Sequence, residues 1–548
     1  MRDIRKLTTL KRLALLLLLA AAPSSAGTVR FKERCLEDLV AQVPKILASQ
    51  DAKTGRFGEG IWIVTDQNVL LPLAAAWSFQ HERNPYYHKP EVLNAIMAGG
   101  DALIDDQDAD GRWVFRKKDA STWGKIYMPW TYSRWIRAFE LVRGAMPEAR
   151  RTRWDRALRL GYEGIAKELA GGRIHNIPAH HAMGLYFAGR VFGRPEWKQQ
   201  ASEFLHRVAA AQRAPGYWSE NKGPVVLYGT VYVEALGTYF AASRDAAILP
   251  VLSKSGLFHS YFTYPDGSDV ETIDERNYYH PEVRLPNVGF TVTPEGRRFT
   301  NRRLRAFKGT LPADQAASLL LWGEEGEEGG GGAPEGDFDF VLGDGEAAVR
   351  RRGPWYLVVS AITAPVPASR WIQDRQNFIS VYHDAAGLIL GGGNTKLQPA
   401  WSAFTIGDIG KWLRPPGEEE PDFRPPYGLV HVPTSAKLLT GDLFGVELGY
   451  AGRKGQITLD VKGPERLDYA VSGEPSMTAH IVALRGFGDS RPSRPEVRLQ
   501  PPAGSILRYP MLPYDPYRKD GKAGAEHGRL VIEFPADGKH TMVVEVRH

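Results

Sequence analysis

The chain reads as an α+β multidomain protein, helical hairpins first and an antiparallel β-sandwich second. Three observations carry that reading. A local turn pattern recurs three times before residue 220, each time closing a helix-like segment. From about residue 336 the texture changes to short alternating β-rich runs separated by Gly, Pro and Asp. Between the two lies an acidic, Gly-rich tract, Gly323 to Gly332, with little to pack.

The elements follow in order. Residues 1–26 begin with Arg2, Arg5, Lys6, Lys11 and Arg12, continue through an apolar run from Leu13 to Ala22, and end in Pro23-Ser24-Ser25-Ala26. This is the order of a secretory signal peptide with cleavage near Ala26. Its apolar run is about half of the ~20 residues that a membrane span needs. The expectation is an exported protein, periplasmic or extracellular, with no stable membrane insertion.

Periodicity and punctuation then place helices near 31–49, 66–82, 90–106, 129–145, 150–169, 178–192, 196–212, 224–243, 245–254 and 312–322. The segment from Trp154 to Leu169 shows the pattern well, with Ala157, Leu158, Leu160 and Ile165 on its apolar stripe. The recurring turns are Gln50 to Phe57, Gln107 to Trp113 and Gln212 to Trp218, each a Gln, then a Gly, then an aromatic. The first two are 57 residues apart and the last two 105, with Gly171-Gly172 a degraded copy between them. Such a period holds two helices and their loops, which close into an α/α toroid or stack as an open solenoid.

Strands are expected at Trp355–Ser360, Phe378–Tyr382, Gly387–Leu390 and His540–Val546, a β-sandwich pattern, with β structure beginning as early as Phe258. The predicted organisation is a signal peptide (1–26), a helical-hairpin domain (27–322), a flexible acidic linker (323–335) and a β-sandwich domain (336–548).

Composition narrows the function classes. The formal charge is +6, but the leader holds five basic residues and one acidic one, so about +2 remains after cleavage. There is no basic cluster interleaved with aromatics, and no nucleic-acid partner is expected. The single cysteine, Cys35, reads as a buried structural thiol. Asp106 to Gly111 imitates half of a calcium loop, but the twelfth position is Lys117 and the residues fit the repeat turn better. His383, His431 and His480 are isolated, so no metal is expected, nor any organic cofactor. Gly391-Gly392-Gly393-Asn394 follows a strand and opens no helix, which makes it a turn and not a phosphate loop.

Two segments stand out chemically. Asn176-Ile177-Pro178-Ala179-His180-His181 offers an amide and two imidazoles, and Gly223-Pro224 leads to Tyr228-Gly229 and then Tyr232. A third, Tyr264 to His280, is dense in polar groups, among them Glu271, Asp274, Glu275 and Arg276. With the helical hairpins and the β-rich half, the first two segments resemble the heparinase II/III-like and alginate-lyase-type polysaccharide lyases. In those enzymes an Asn-His pair near the start of a toroid helix is followed some fifty residues on by a Gly-Pro segment leading to Tyr-Gly. The resemblance implies a closed toroid that carries the active site, a β-sandwich behind it, and an acidic polysaccharide as substrate. One departure is plain: His180-His181 stands where the family tends to have adjacent Asn and His. Either Asn176 reaches in from the preceding loop or His180 replaces the amide. Helical neighbours point about 100° apart, so one histidine faces the cleft, and His181 is the choice.

The implied chemistry is β-elimination at a 4-linked uronate. Removing the C5 proton beside an ionised carboxylate gathers negative charge, so Asn176 is expected to hydrogen-bond the carboxylate and His180 or Arg276 to offset it. His181 or Tyr228 takes the proton, and a phenol, Tyr228 or Tyr232, protonates the leaving oxygen. Glu275 orients Arg276 or a histidine. Trp123 and Trp218, on turns or loops like Trp113, offer faces for sugar rings. Two alternatives stay open: a toroidal glycoside hydrolase using a carboxylate pair from Glu271, Asp274 and Glu275, and a non-catalytic glycan-binding protein of the same fold.

Overall fold

The repeated turn is the joint on which the helical half is built. The computed structural model describes residues 27–58, 63–116, 122–220, 223–275, 277–363, 378–392, 403–408, 428–484, 495–508 and 530–547. The leader assigned to 1–26 and the candidate Arg276 lie outside the described residues. The helices are α1 (Lys32–Ala48), α2 (Ile63–Asp66), α3 (Leu70–Ser78), α4 (Pro90–Asp106), α5 (Pro129–Val142), α6 (Glu148–Ala170), α7 (Asn176–Val191), α8 (Pro195–Ala210), α9 (Val226–Ser243), α10 (Leu249–Tyr261), α11 (Pro294–Ala306) and α12 (Ala313–Trp322).

Each repeat glutamine fastens the end of one outer helix to the backbone of another. The Gln50 amide donates to the carbonyls of Gly55 and Ala95, both at 2.8 Å. The Gln107 amide donates to the carbonyl of Ala157 at 3.2 Å, and that of Gln212 to Val251 at 2.9 Å. The glycines have φ of +73°, +84° and +100° at Gly55, Gly111 and Gly216. A Cβ at Gly216 would also lie 2.4 Å from the carbonyl oxygen of Lys254. Left-handed backbone and close approach together demand glycine there. The aromatics close each joint from inside, with the indole N–H of Trp113 on the Leu103 carbonyl (3.0 Å) and that of Trp218 on Val208 (2.8 Å).

The inner helices α3, α5, α7 and α9 pack each on the next, and α12 touches both α3 and α9. The ring is therefore closed, a toroid and not an open solenoid. A bidentate pair from Arg134 of α5 to Asp314 of α12, at 2.8 and 2.6 Å, ties the closing helix across it.

The strands are β1 (Thr28–Val29), β2 (Trp113–Arg116), β3 (Thr122–Ile126), β4 (Gly326–Glu327), β5 (Phe338–Leu342), β6 (Ala347–Arg352), β7 (Trp355–Ser360), β8 (Ile379–His383), β9 (Gly387–Leu390), β10 (Phe404–Ile406), β11 (Ser435–Leu439), β12 (Phe444–Tyr450), β13 (Arg453–Gly463), β14 (Arg466–Gly473), β15 (Met477–Ala483), β16 (Glu496–Gln500), β17 (Ile506–Arg508), β18 (Leu530–Pro535) and β19 (Gly538–Arg547). One antiparallel sheet runs β17-β18-β15-β9-β8-β7-β6-β5, with β10 also on β15, and a second runs β11-β12-β13-β14-β19-β16. The first sheet is covered on both faces. Along β7, Trp355, Leu357 and Val359 enter the core between the sheets, whereas Tyr356 and Val358 meet Tyr217, Phe258, Phe262 and Tyr264 of the helical half. This two-sided burial is why β7 reads as a continuous apolar run instead of alternating.

Three expectations are corrected. Phe258 begins no β structure, because it lies inside α10. Helix α11 escapes a periodicity search because five arginines crowd its thirteen residues and leave a narrow stripe around Phe299 and Leu304. The acidic tract expected as a flexible linker is strapped to the toroid. Glu325 accepts the N–H groups of Phe31 (2.6 Å) and Lys32 (2.7 Å) at the start of α1, β4 pairs with β1, and the Ala333 N–H reaches the Ser260 hydroxyl at 3.0 Å. The Glu325 carboxylate satisfies a helix N-terminus, where negative charge is favoured.

Candidate functional site

The site forms where α7 and α9 begin side by side. Asn176 is the first residue of α7. Pro178 two residues on costs no intrahelical hydrogen bond, because the first four N–H groups have no partner within a helix. The start of α9 is held from outside the helix, its Leu227 N–H donating to the Asp274 carboxylate at 3.0 Å. The adjacent Glu275 accepts the N–H groups of Glu220 and Gly223, each at 3.0 Å, and donates its own N–H to the Pro224 carbonyl at 3.0 Å. Glu275 is buried at 3% exposure. It clamps the loop between α8 and α9.

The clamped loop delivers Glu220 to the junction. The Asn176 side-chain amide donates to Glu220 Oε1, and the Tyr232 hydroxyl donates to the same oxygen at 3.3 Å. The Tyr232 ring is stacked on Trp218, centroids 5.1 Å apart and planes 13° from parallel. Trp218 is 2% exposed and its indole N–H is bonded, so it presents no face to a sugar and the stacking role expected for it is withdrawn. Tyr228 lies one turn before Tyr232 on the same face of α9, half-buried against the toroid core.

The two histidines diverge as the helix geometry requires. His180 is wholly buried, facing Glu234 of α9 at 3.4 Å with the Trp130 ring 5.9 Å away. It belongs to an ionic cluster inside the ring, which corrects its expected place against substrate. Arg134 stands 3.8 Å from the Glu234 carboxylate. Arg137, fully buried, donates to the Ser133 carbonyl at 2.8 Å and lies over the Trp322 ring at 4.8 Å. Burial alone would raise the Glu234 pKa, but His180, Arg134 and Arg137 hold it down at about 2. Burial together with Arg134 lowers Arg137 to about 10, which leaves it charged at neutral pH.

His181 turns the other way and bonds the Tyr127 carbonyl through Nε2 at 2.8 Å. A carbonyl only accepts, so Nε2 carries the proton and Nδ1 holds the lone pair of the neutral ring. Burial brings His181 down to about 4, against the Tyr127 hydrogen bond that favours its charged form, so it is neutral above that pH.

The remaining candidates are placed apart. Glu271 joins the helical half to the first sheet, accepting from Tyr264 (2.9 Å), Ser380 (2.6 Å) and the Gly392 N–H (2.9 Å). With Asp274 and Glu275, all three carboxylates considered for a hydrolytic pair are thus engaged in holding structure. Trp123 sits on β3, 56% exposed and stacked on Phe115 at 4.6 Å. Among the described residues no three His, Cys, Asp or Glu side chains come together as metal ligands, and no helix is long and apolar enough to cross a membrane. Cys35 is buried, and burial with the nearby Asp38 pushes its thiol up to about 12.

Sequence reasoning passed over Glu220, Glu234, Arg134 and Arg137. A signal for Glu234 existed, since it is the one charged residue in the otherwise apolar α9. Glu220 carried none, because a glutamate beside a turn is ordinary.

No family model and no curated protein matches the sequence. The structure is similar to a chondroitin AC lyase mutant of Streptomyces coelicolor A3, with a TM-score of 0.53 over 96% of this chain and 80% of that one at 12% identity. It is similar also to heparinase III, with a TM-score of 0.51 over 95% of this chain and 92% of that one at 12% identity. At such identities the likeness is one of fold, and it bears out the fold class and the architecture of the resemblance read from the sequence.

Proposed function

We propose that the protein is an exported polysaccharide lyase that cleaves a uronic-acid-containing glycan by β-elimination. The observation that carries the reading is the convergence of the Asn176 amide and the Tyr232 phenol on one carboxylate oxygen. Two donors from two helices, aimed at a single carboxylate, are what capture of a uronate requires. The fold shared with a chondroitin AC lyase and a heparinase III supports the reaction class.

In this mechanism Asn176 holds the substrate carboxylate and draws off charge as C5 loses its proton. His181 Nδ1, unprotonated above about pH 4, accepts that proton. The C5–H electron pair becomes the C4–C5 double bond, the C4–O bond breaks, and Tyr228 donates a proton to the departing oxygen. The hydroxyl of Tyr232 supports the carboxylate. Arg276 is assigned the offsetting of the substrate's negative charge on its sequence position alone, and Trp123 offers a ring face to sugars further along the chain.

The test is a screen of alginate, glucuronan, heparinoid, chondroitin and ulvan by ultraviolet absorbance. One polymer should give unsaturated products, and Tyr228→Phe should cut their rate by about 10²–10⁴ while leaving the fold intact. Saturated reducing ends carrying solvent oxygen would sink elimination. They would favour a hydrolase instead, a reading for which Glu220, a carboxylate held at the same spot, is the specific observation. Glycan affinity without turnover on any polymer would favour a binding protein.

A further inference from the structure

Glu220 occupies the place that the proposed chemistry reserves for the substrate's acid group. Its Oε1 receives the Asn176 amide from α7 and the Tyr232 hydroxyl from α9, and its backbone N–H is tied to Glu275. The backbone of residue 220 is thus anchored while its carboxylate reaches forward into the donors. A second carboxylate cannot join the first there, because two like charges would share one pair of donors at contact distance. Resting on the uronate-lyase reading, we infer that Glu220 is an intramolecular stand-in for the uronate carboxylate, displaced from Asn176 and Tyr232 when substrate binds.

The exchange is like for like. A uronate carboxylate restores the charge-assisted hydrogen bonds that Glu220 gives up, so the net cost is the reorientation of one side chain. A neutral sugar or an esterified uronate displaces the same carboxylate and restores weaker bonds, and so falls below useful affinity. Glu220 in this role is an affinity gate: it raises the threshold for every ligand alike, and a ligand carrying a carboxylate clears it through the bonds it regains from Asn176 and Tyr232. Among the described residues, the clamp at Glu275 keeps the stand-in within reach of its donors, ready to return when product leaves.

Displacement and simple repulsion make different predictions. The probes are a glucuronate tetrasaccharide and its methyl ester, titrated calorimetrically into the full chain as wild type, Glu220→Ala and Asn176→Ala/Glu220→Ala, with circular dichroism to verify folding. If Glu220 must move away for any ligand, Glu220→Ala tightens acid and ester alike by about tenfold or more, and their ratio stays as in wild type. The acid's advantage over the ester shrinks once Asn176 is also removed, with Tyr232 left as the remaining donor of the pair. Tightening of the acid alone would mean a stationary repelling charge and would overturn displacement, as would weaker binding of the acid by Glu220→Ala. Ultraviolet turnover by the same wild-type sample separates the two levels. Turnover with no gain in affinity on Glu220→Ala sinks displacement alone, and neither turnover nor binding sinks the uronate reading with it.

Discussion

Replacing Glu275 with Gln tests whether this residue builds the site. Its carboxylate accepts two backbone N–H groups, Glu220 and Gly223, each at 3.0 Å and almost out of solvent. Hydrogen bonds to a charged group contribute about 1.5–3 kcal/mol each. An amide keeps one acceptor oxygen and turns its NH2 toward the second N–H, so one bond becomes neutral and the other is lost. The buried donor left over adds about 1–3 kcal/mol. Allowing for the desolvation relieved by removing the charge, the net local loss is about 2–4 kcal/mol, or about 30- to 700-fold in the opening equilibrium of the loop at 1.4 kcal/mol per tenfold. Hydrogen exchange reads that quantity at the two amides. Protection at Glu220 and Gly223 should fall by that factor while the Gln212 joint keeps its own, and lyase turnover should drop with it. Unchanged exchange at both amides would refute the clamp.

Three further outcomes follow from the same geometry. Glu234→Gln leaves Arg134, Arg137 and His180 without their shared anion and should cost about 3–5 kcal/mol at neutral pH by denaturant unfolding. Because the Glu234 carboxyl is held at about 2 against an ordinary 4.5, its contribution is whole above pH 4.5 and lost as pH falls through about 2. The gap between wild type and variant should close in that window and not at higher pH. For His181, lowered from 6.5 to about 4, the acid limb of kcat/KM should fall near pH 4, and a limb at 6.5 would remove it as the base. Its contribution to stability is present above 6.5 and lost as pH falls through about 4. Gly216→Ala puts a Cβ 2.4 Å from the Lys254 carbonyl at a φ of +100° and should cost about 2 kcal/mol or more, read as a lower thermal midpoint.

Much of the fold was legible where one residue type has one use. The Gln-Gly-aromatic turns were visible as a repeat because each member is demanded by local geometry: an amide long enough to reach the next outer helix, a left-handed glycine, and a ring to close the joint. Helix α4 ran from Pro90 to Asp106 as expected, bounded by a proline at its start and a repeat turn at its end. Helix α11 was missed because arginine serves equally on a solvated coil and on a helix whose guanidinium is buried, as at Arg303 on Asp269 and Thr263. The tract at 323–335 misled in the same way. Glu325 looks like any solvated glutamate until the start of α1 is brought to it.

The sequence by itself determined the order of architectures, the hairpin period and the residue types, amide, imidazole and phenol, that the α7 and α9 segments carry. These are local properties, set by side-chain period, by backbone conformations that only glycine tolerates, and by spacing along one chain. Only the tertiary structure decided that the ring closes through α12, that His180 faces Glu234 while His181 faces Tyr127, and that Glu220 lies between Asn176 and Tyr232. Those depend on which helix faces meet, and a carboxylate's role follows from the donors that surround it, groups that stand 44 and 12 residues away along the chain and become neighbours only when the toroid packs.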